Sequence, residues 1–76
     1  MMKVTVKLIG PFIYRAGFSE KEFNLPGRTT AADLLRLINV DMHRPKIMTR
    51  NGRAVAPAEM LADRDRIVVS PIYSGG

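Results

Sequence analysis

Cysteine is absent from this chain of 76 residues, and so is tryptophan. Without cysteine there are no disulfides, no thiolate-ligated zinc, no cysteine nucleophile and no thioredoxin-type exchange. His43 is the single histidine, with Asp41 its only close acid, so a metal site has little to build on and a solvent-exposed loop position is expected. Ser19, Ser70 and Ser74 have no base at a suggestive spacing, and no glycine-rich phosphate loop is present. No apolar run approaches the about 18 residues that a membrane helix needs. Met1-Met2-Lys3-Val4-Thr5 alternates instead of forming the apolar stretch of a secretory leader, so a cytoplasmic protein is expected. A chain this short makes one small domain that buries only about 60% of its unfolded surface. A deep catalytic cleft with a bound cofactor is not expected, and the domain by itself reads as no enzyme.

What is present is ordinary globular material, 46% apolar and 25% charged, with a basic excess of +5. Twelve basic residues face seven acidic ones. Such a balance fits nucleic acid, an acidic partner or simple solubility, and does not separate them.

Val4, Val6 and Leu8 alternate with Lys3, Thr5 and Lys7, the pattern of a half-buried strand ended by Gly10-Pro11. Phe12, Ile13 and Tyr14 read as a connection pinned to the core by its aromatics. Lys21 to Leu25 alternates again as an antiparallel neighbour of the first strand, and Pro26-Gly27 turns the chain. Thr30-Ala31-Ala32-Asp33 has the spacing of a capping box, and Ala31, Leu34, Leu35 and Ile38 form one apolar helical stripe. That helix should end near Asn39. Asn51-Gly52 between Ile47–Arg50 and Arg53–Val55 predicts a type I′ hairpin. Met60 and Leu61 are expected to anchor the next connection. Arg66 to Ser70 is a β-branched run suited to a central strand. The predicted order is β-β-α-β-β-β, a two-layer α+β fold with one main helix across one face of a mixed sheet.

Leu25-Pro26-Gly27, the segment Thr30 to Leu35, the Asn51-Gly52 hairpin, the stretch Asp63 to Ile67 and the terminal Gly75-Gly76 resemble the ubiquitin-like β-grasp sulfur carriers of the MoaD/ThiS family. Two final glycines alone would also suit a frayed terminus; with this topology and length they favour a carrier. The resemblance implies a β-grasp domain over residues 1–72 and a flexible tail over 73–76. It implies that an E1-like, ATP-dependent enzyme (MoaB-, ThiF- or MoeB-like) adenylates the Gly76 carboxylate, that a sulfur donor converts it to a thiocarboxylate, and that the sulfur passes to an acceptor. No cofactor is expected on this chain, the ATP being used by the activating enzyme. The first-choice pathway is molybdopterin synthesis, with the chain as small subunit beside a MoaE-like large subunit. Thiamine-thiazole synthesis, tRNA thiolation and ubiquitin-like protein modification are alternatives, and a TGS-like RNA- or ligand-binding module is the alternative from another class.

By the same resemblance, Gly75 grants access to Gly76, while Tyr73, Ser74 and Ile72 lie in the enzyme's channel. Met48, with Ile72, is expected on a partner-binding face if the open side of the sheet carries it. Many family members have Asp-Gly-Asp where this chain has Asp63-Arg64-Asp65, so Arg64 is expected in a turn that avoids positive φ. Asp63 and Asp65 are expected in capping or turn roles. Arg36, Arg44, Lys46, Arg50 and Arg53 are expected around the helix end and the hairpin, as a solvated face or a docking patch for an acidic surface or RNA. The phenylalanines are expected in the core, so base stacking has no platform and nucleic acid is not the expected partner.

Overall fold

The computed structural model describes residues 1–72; the predicted tail, Tyr73 to Gly76, lies outside the described residues. Seven elements follow one another: β1 (Met2–Leu8), α1 (Phe12–Ala16), β2 (Glu20–Leu25), α2 (Ala31–Leu37), β3 (Lys46–Arg50), β4 (Arg53–Ala54) and β5 (Arg66–Pro71). The strands form one mixed sheet in the order β2-β1-β5-β3-β4. Strand β5 runs parallel to β1 and antiparallel to β3. The last strand thus sits at the centre of the sheet, as its run of β-branched residues anticipates.

One face of the sheet is covered. Val4, Val6 and Leu8 of β1, Ile67 and Val69 of β5 and Met48 of β3 share one core with Ala31, Leu34, Leu35 and Ile38 of the α2 stripe. The capping box is complete: the Thr30 hydroxyl accepts from the Asp33 N–H at 3.1 Å, and the Asp33 carboxylate accepts from the Thr30 N–H at 3.0 Å. The helix stops where Asn39 turns into the left-handed region at φ 62°. Asn51 and Gly52 both take positive φ, 53° and 85°, which meets the demand of the tight hairpin.

Three expectations need correction. Residues Phe12–Ala16 are a short helix, not an irregular connection; it starts at Pro11 without a side-chain cap and ends at Gly17 with φ 85°. Five residues are too few to display a helical period in the sequence. Met60 does not anchor by its side chain, which is exposed; its backbone bridges to Thr30, while Leu61 alone enters the core. Arg64 does take positive φ, 69°. Two flanking bonds hold it there: its N–H donates to the Lys3 carbonyl at 2.6 Å, and the Asp63 carboxylate accepts from the Lys3 N–H at 2.7 Å.

Asp65 has the turn role expected of it. It is buried, and its carboxylate accepts from the Ala62 N–H at 2.8 Å and from the Asn51 amide at 3.0 Å. The Asn51 oxygen accepts in turn from the Arg66 N–H at 2.8 Å, which ties the hairpin to the start of β5.

Candidate functional site

The site is built where β5 leaves the sheet. Its alternation places Ile67 and Val69 against α2 and turns Val68 and Ser70 to the open face. Ser70 is paired with Ile47 on β3. On the other side the parallel register sets Leu8 beside Val69, and the Ile9 N–H continues that ladder to the Val69 carbonyl at 3.0 Å. Ile9 and Ile47 therefore flank Ser70 on the uncovered face, and Ile72, two residues on, follows on the same side by alternation. Ile9 is 37% exposed, Ile47 49% and Ile72 55%. Half-buried Val68 completes the cluster, with Lys7 beside it on β1 and Thr49 beside it on β3. An apolar patch thus surrounds the point from which residues 73–76 depart.

Of the two residues expected on this face, Met48 is turned to the other, while Ile72, just past the end of β5, is exposed. Met48 is 8% exposed and pairs with Val69 inside the core. The physical reason is register. Val69 faces α2, and a residue directly opposite a core residue shares its face, so Ile47 takes the open side. Nothing in the sequence alone marks Ile9 and Ile47 as members of this face. Both Ile47 and Met48 are apolar, so alternation within that strand does not decide between them; the pairing with Ser70 does. Tyr73, Ser74, Gly75 and Gly76 lie outside the described residues.

The basic set divides. Arg50 is tied down: its guanidinium donates to the Met60 carbonyl at 2.6 Å and to Glu59 at 3.2 Å, and it lies 3.9 Å from Asp65. Arg53 is exposed on β4. Arg44 lies over the Phe12 ring, 5.4 Å from its centre, and the Lys46 ammonium donates to the Met42 carbonyl at 3.2 Å. Of the phenylalanines expected in the core, Phe12 is buried there, while Phe18 and Phe23 are partly buried, packed against the core and edge-on to each other at 5.6 Å between centres. The His43 N–H donates to the Asp41 carboxylate at 2.8 Å in an exposed loop.

With this geometry established, the comparison that decides kinship is the family model of the ThiS family, which matches residues 6–76. The chain belongs to the ThiS family. Among solved structures, this ThiS-family chain is similar to a protein assigned as molybdopterin converting factor, subunit 1, from Pyrococcus furiosus, at 29% identity and a TM-score of 0.79 over 93% of this chain and 98% of that one. It is similar in fold to the small archaeal modifier protein 1 of H. volcanii, at 20% identity and a TM-score of 0.79 over 93% and 98% of the two chains. A ubiquitin from Caldiarchaeum subterraneum shares the fold at 23% identity and a TM-score of 0.63, over 99% and 98%. No curated protein matches. The fold is therefore the α+β β-grasp expected from the sequence.

Proposed function

We propose that this ThiS-family protein is a sulfur carrier that works through the Gly76 carboxylate, with residues 1–72 as the recognition body and residues 73–76 as the reacting arm. The observation that carries the reading is the family match running through the terminal Gly75-Gly76. A terminal carboxyl group has a pKa of about 3.3–3.7, so at neutral pH it is ionised and needs no base to attack. Its oxygen attacks the α-phosphorus of ATP on the activating enzyme, and the bond to pyrophosphate breaks. A hydrosulfide ion supplied by a sulfide donor then attacks the acyl carbon of the adenylate, AMP departs with the bonding electrons, and loss of the sulfur's proton leaves a thiocarboxylate.

The chain is the co-substrate in this scheme, and the catalyst is its partner. Two residues without Cβ pass a narrow channel and adopt angles that others avoid. Ordering each tail residue costs about 1–2 kcal/mol, so the body must dock to offset it. The apolar patch of Ile9, Ile47, Val68 and Ile72 adjoins the root of the tail, and an enzyme that receives Gly76 covers that patch first. We therefore assign the patch to the E1-like activating enzyme, with Gly75, Ser74 and Tyr73 in its channel.

For the acceptor, the 29% identity to the protein assigned as a molybdopterin converting factor subunit favours molybdopterin synthesis, with a MoaE-like large subunit taking the same tail. The likeness to an archaeal modifier supports attachment to protein amines as the second reading. Appending one residue after Gly76 tests the carrier reading. ATP–pyrophosphate exchange by the activating enzyme should vanish; unchanged exchange would overturn the proposal. Sulfur incorporation into a molybdopterin precursor, set against transfer to lysines, then separates the two acceptors.

A further inference from the structure

Asn24 precedes Leu25 and Asn39 precedes Val40; of the asparagines, only Asn51 is followed by glycine. We propose that Asn51-Gly52 is a covalent modification site, a pair that closes to a succinimide and reopens as aspartate or isoaspartate, and that the bonds tying the hairpin to β5 gate the reaction. Neither the carrier chemistry nor the sheet-face patch uses this pair.

The conversion consumes only water. The Gly52 backbone nitrogen, having given its proton to solvent, attacks the side-chain carbonyl carbon of Asn51. A bond forms between the two, the bond from that carbon to the amide nitrogen breaks, and the nitrogen takes a proton from solvent and leaves as ammonia. Water then adds to either carbonyl of the five-membered ring. Opening at one gives aspartate; opening at the other gives isoaspartate, in which the main chain runs through the former side chain. Glycine favours the attack because no Cβ crowds its nitrogen and its backbone turns freely. Both residues are exposed, and beyond its chain neighbours no heavy atom lies within 4 Å of the place a Gly52 Cβ would take. Solvent therefore reaches the turn.

The fold opposes the first step. The Asn51 side-chain amide donates to the Asp65 carboxylate at 3.0 Å, and its oxygen accepts from the Arg66 N–H at 2.8 Å. The Asn51 backbone N–H adds a third tie, to the Arg66 carbonyl at 2.8 Å. Both ends of the side-chain amide are thus held toward the start of β5 and must be released before its carbon can swing onto the Gly52 nitrogen. Asp65 is itself fixed, being buried and accepting from the Ala62 N–H at 2.8 Å. Neither product restores the donor to Asp65, because an ionised carboxylate only accepts. Conversion therefore cuts one tie between the hairpin and β5.

The test follows the full chain at neutral pH, folded in buffer and unfolded in guanidinium chloride, by intact mass and peptide mapping, with isoaspartate counted by enzymatic methylation. In the unfolded chain Asn51 should convert ahead of Asn24 and Asn39, and Gly52→Ala should slow it. In the folded chain Asn51 should convert about ten-fold or more slowly than in the unfolded one, since two side-chain hydrogen bonds have to break first. Asp65→Ala, assayed where it remains folded, should speed the folded-state conversion several-fold. Thr30→Ala, which removes the α2 cap and leaves the hairpin tied, should not change it. A folded rate equal to or above the unfolded one would overturn the proposal, as would Asn24 or Asn39 converting first, or Thr30→Ala matching Asp65→Ala. The first two comparisons use the unaltered sequence and stand whether or not the variants fold.

Discussion

Ile47 and Met48 are adjacent in sequence and face opposite sides of the sheet, so truncating each to alanine separates docking from folding. Ile47 is 49% exposed, so half of its burial is still available to a partner. Fully burying an isoleucine is worth about 1.5–3 kcal/mol, which leaves about 0.7–1.5 kcal/mol to be gained on docking. Ile47→Ala should therefore raise the KM of the carrier in ATP–pyrophosphate exchange about three- to ten-fold, at unchanged kcat and nearly unchanged stability. Met48 is 8% exposed and lies against Val69 and the α2 stripe. Met48→Ala leaves a cavity and should cost about 2–4 kcal/mol in chemical denaturation, with the KM of the folded fraction unaltered. A KM that ignores Ile47→Ala but rises in folded Met48→Ala would refute the assignment of the two faces.

Other perturbations follow from the same structure. Arg64→Gly should stabilise the domain by about 0.5–1 kcal/mol, since glycine accepts φ 69° without a Cβ clash and gives back part of the gain as unfolded-chain entropy; a rise of a few degrees in Tm checks this. Asp65→Ala removes the buried acceptor that the Ala62 N–H and the Asn51 amide share at a partly buried corner, and denaturant titration should show a loss of about 1–3 kcal/mol. Thr30→Ala removes the α2 cap and should cost about 1 kcal/mol in the same titration. The Asp33 carboxyl is held below its ordinary 3.8 by the Thr30 N–H first, then by the Thr30 hydroxyl, with a smaller contribution from Arg36. A depressed carboxylate stabilises above its ordinary value, and the contribution is lost as pH falls through the folded one. Asp33→Asn should flatten the fall of the denaturation midpoint below about pH 4; an unchanged profile would count against the capping box as its source.

Much of the architecture is legible before any coordinates because each clue has a local cause. The alternation at Val4, Val6 and Leu8, the Thr30–Asp33 box and the Asn51-Gly52 pair state their geometry within a few residues. What escapes is set by partners far along the chain. Ile47 and Met48 are indistinguishable until the pairing with Ser70 and Val69 assigns their faces. Ile9 joins the patch only through the parallel ladder to β5, sixty residues away. The α1 helix is shorter than the period that would betray it, and its only mark is the Gly17 stop. At Arg64, bonds to Lys3 hold the backbone in an angle that its own side chain disfavours, a case of tertiary contacts overriding local preference. The carrier reading rests on the terminal glycines and the family match, and the sheet contributes the place where a partner can dock.

The carrier chemistry is most directly tested by the intact mass of the protein after incubation with ATP, a sulfur donor and the activating enzyme of the same cell. The account predicts a gain equal to one sulfur in place of one oxygen, absent when Gly76 is deleted. An unchanged mass with every candidate activating enzyme, or a gain that persists without Gly76, would contradict it.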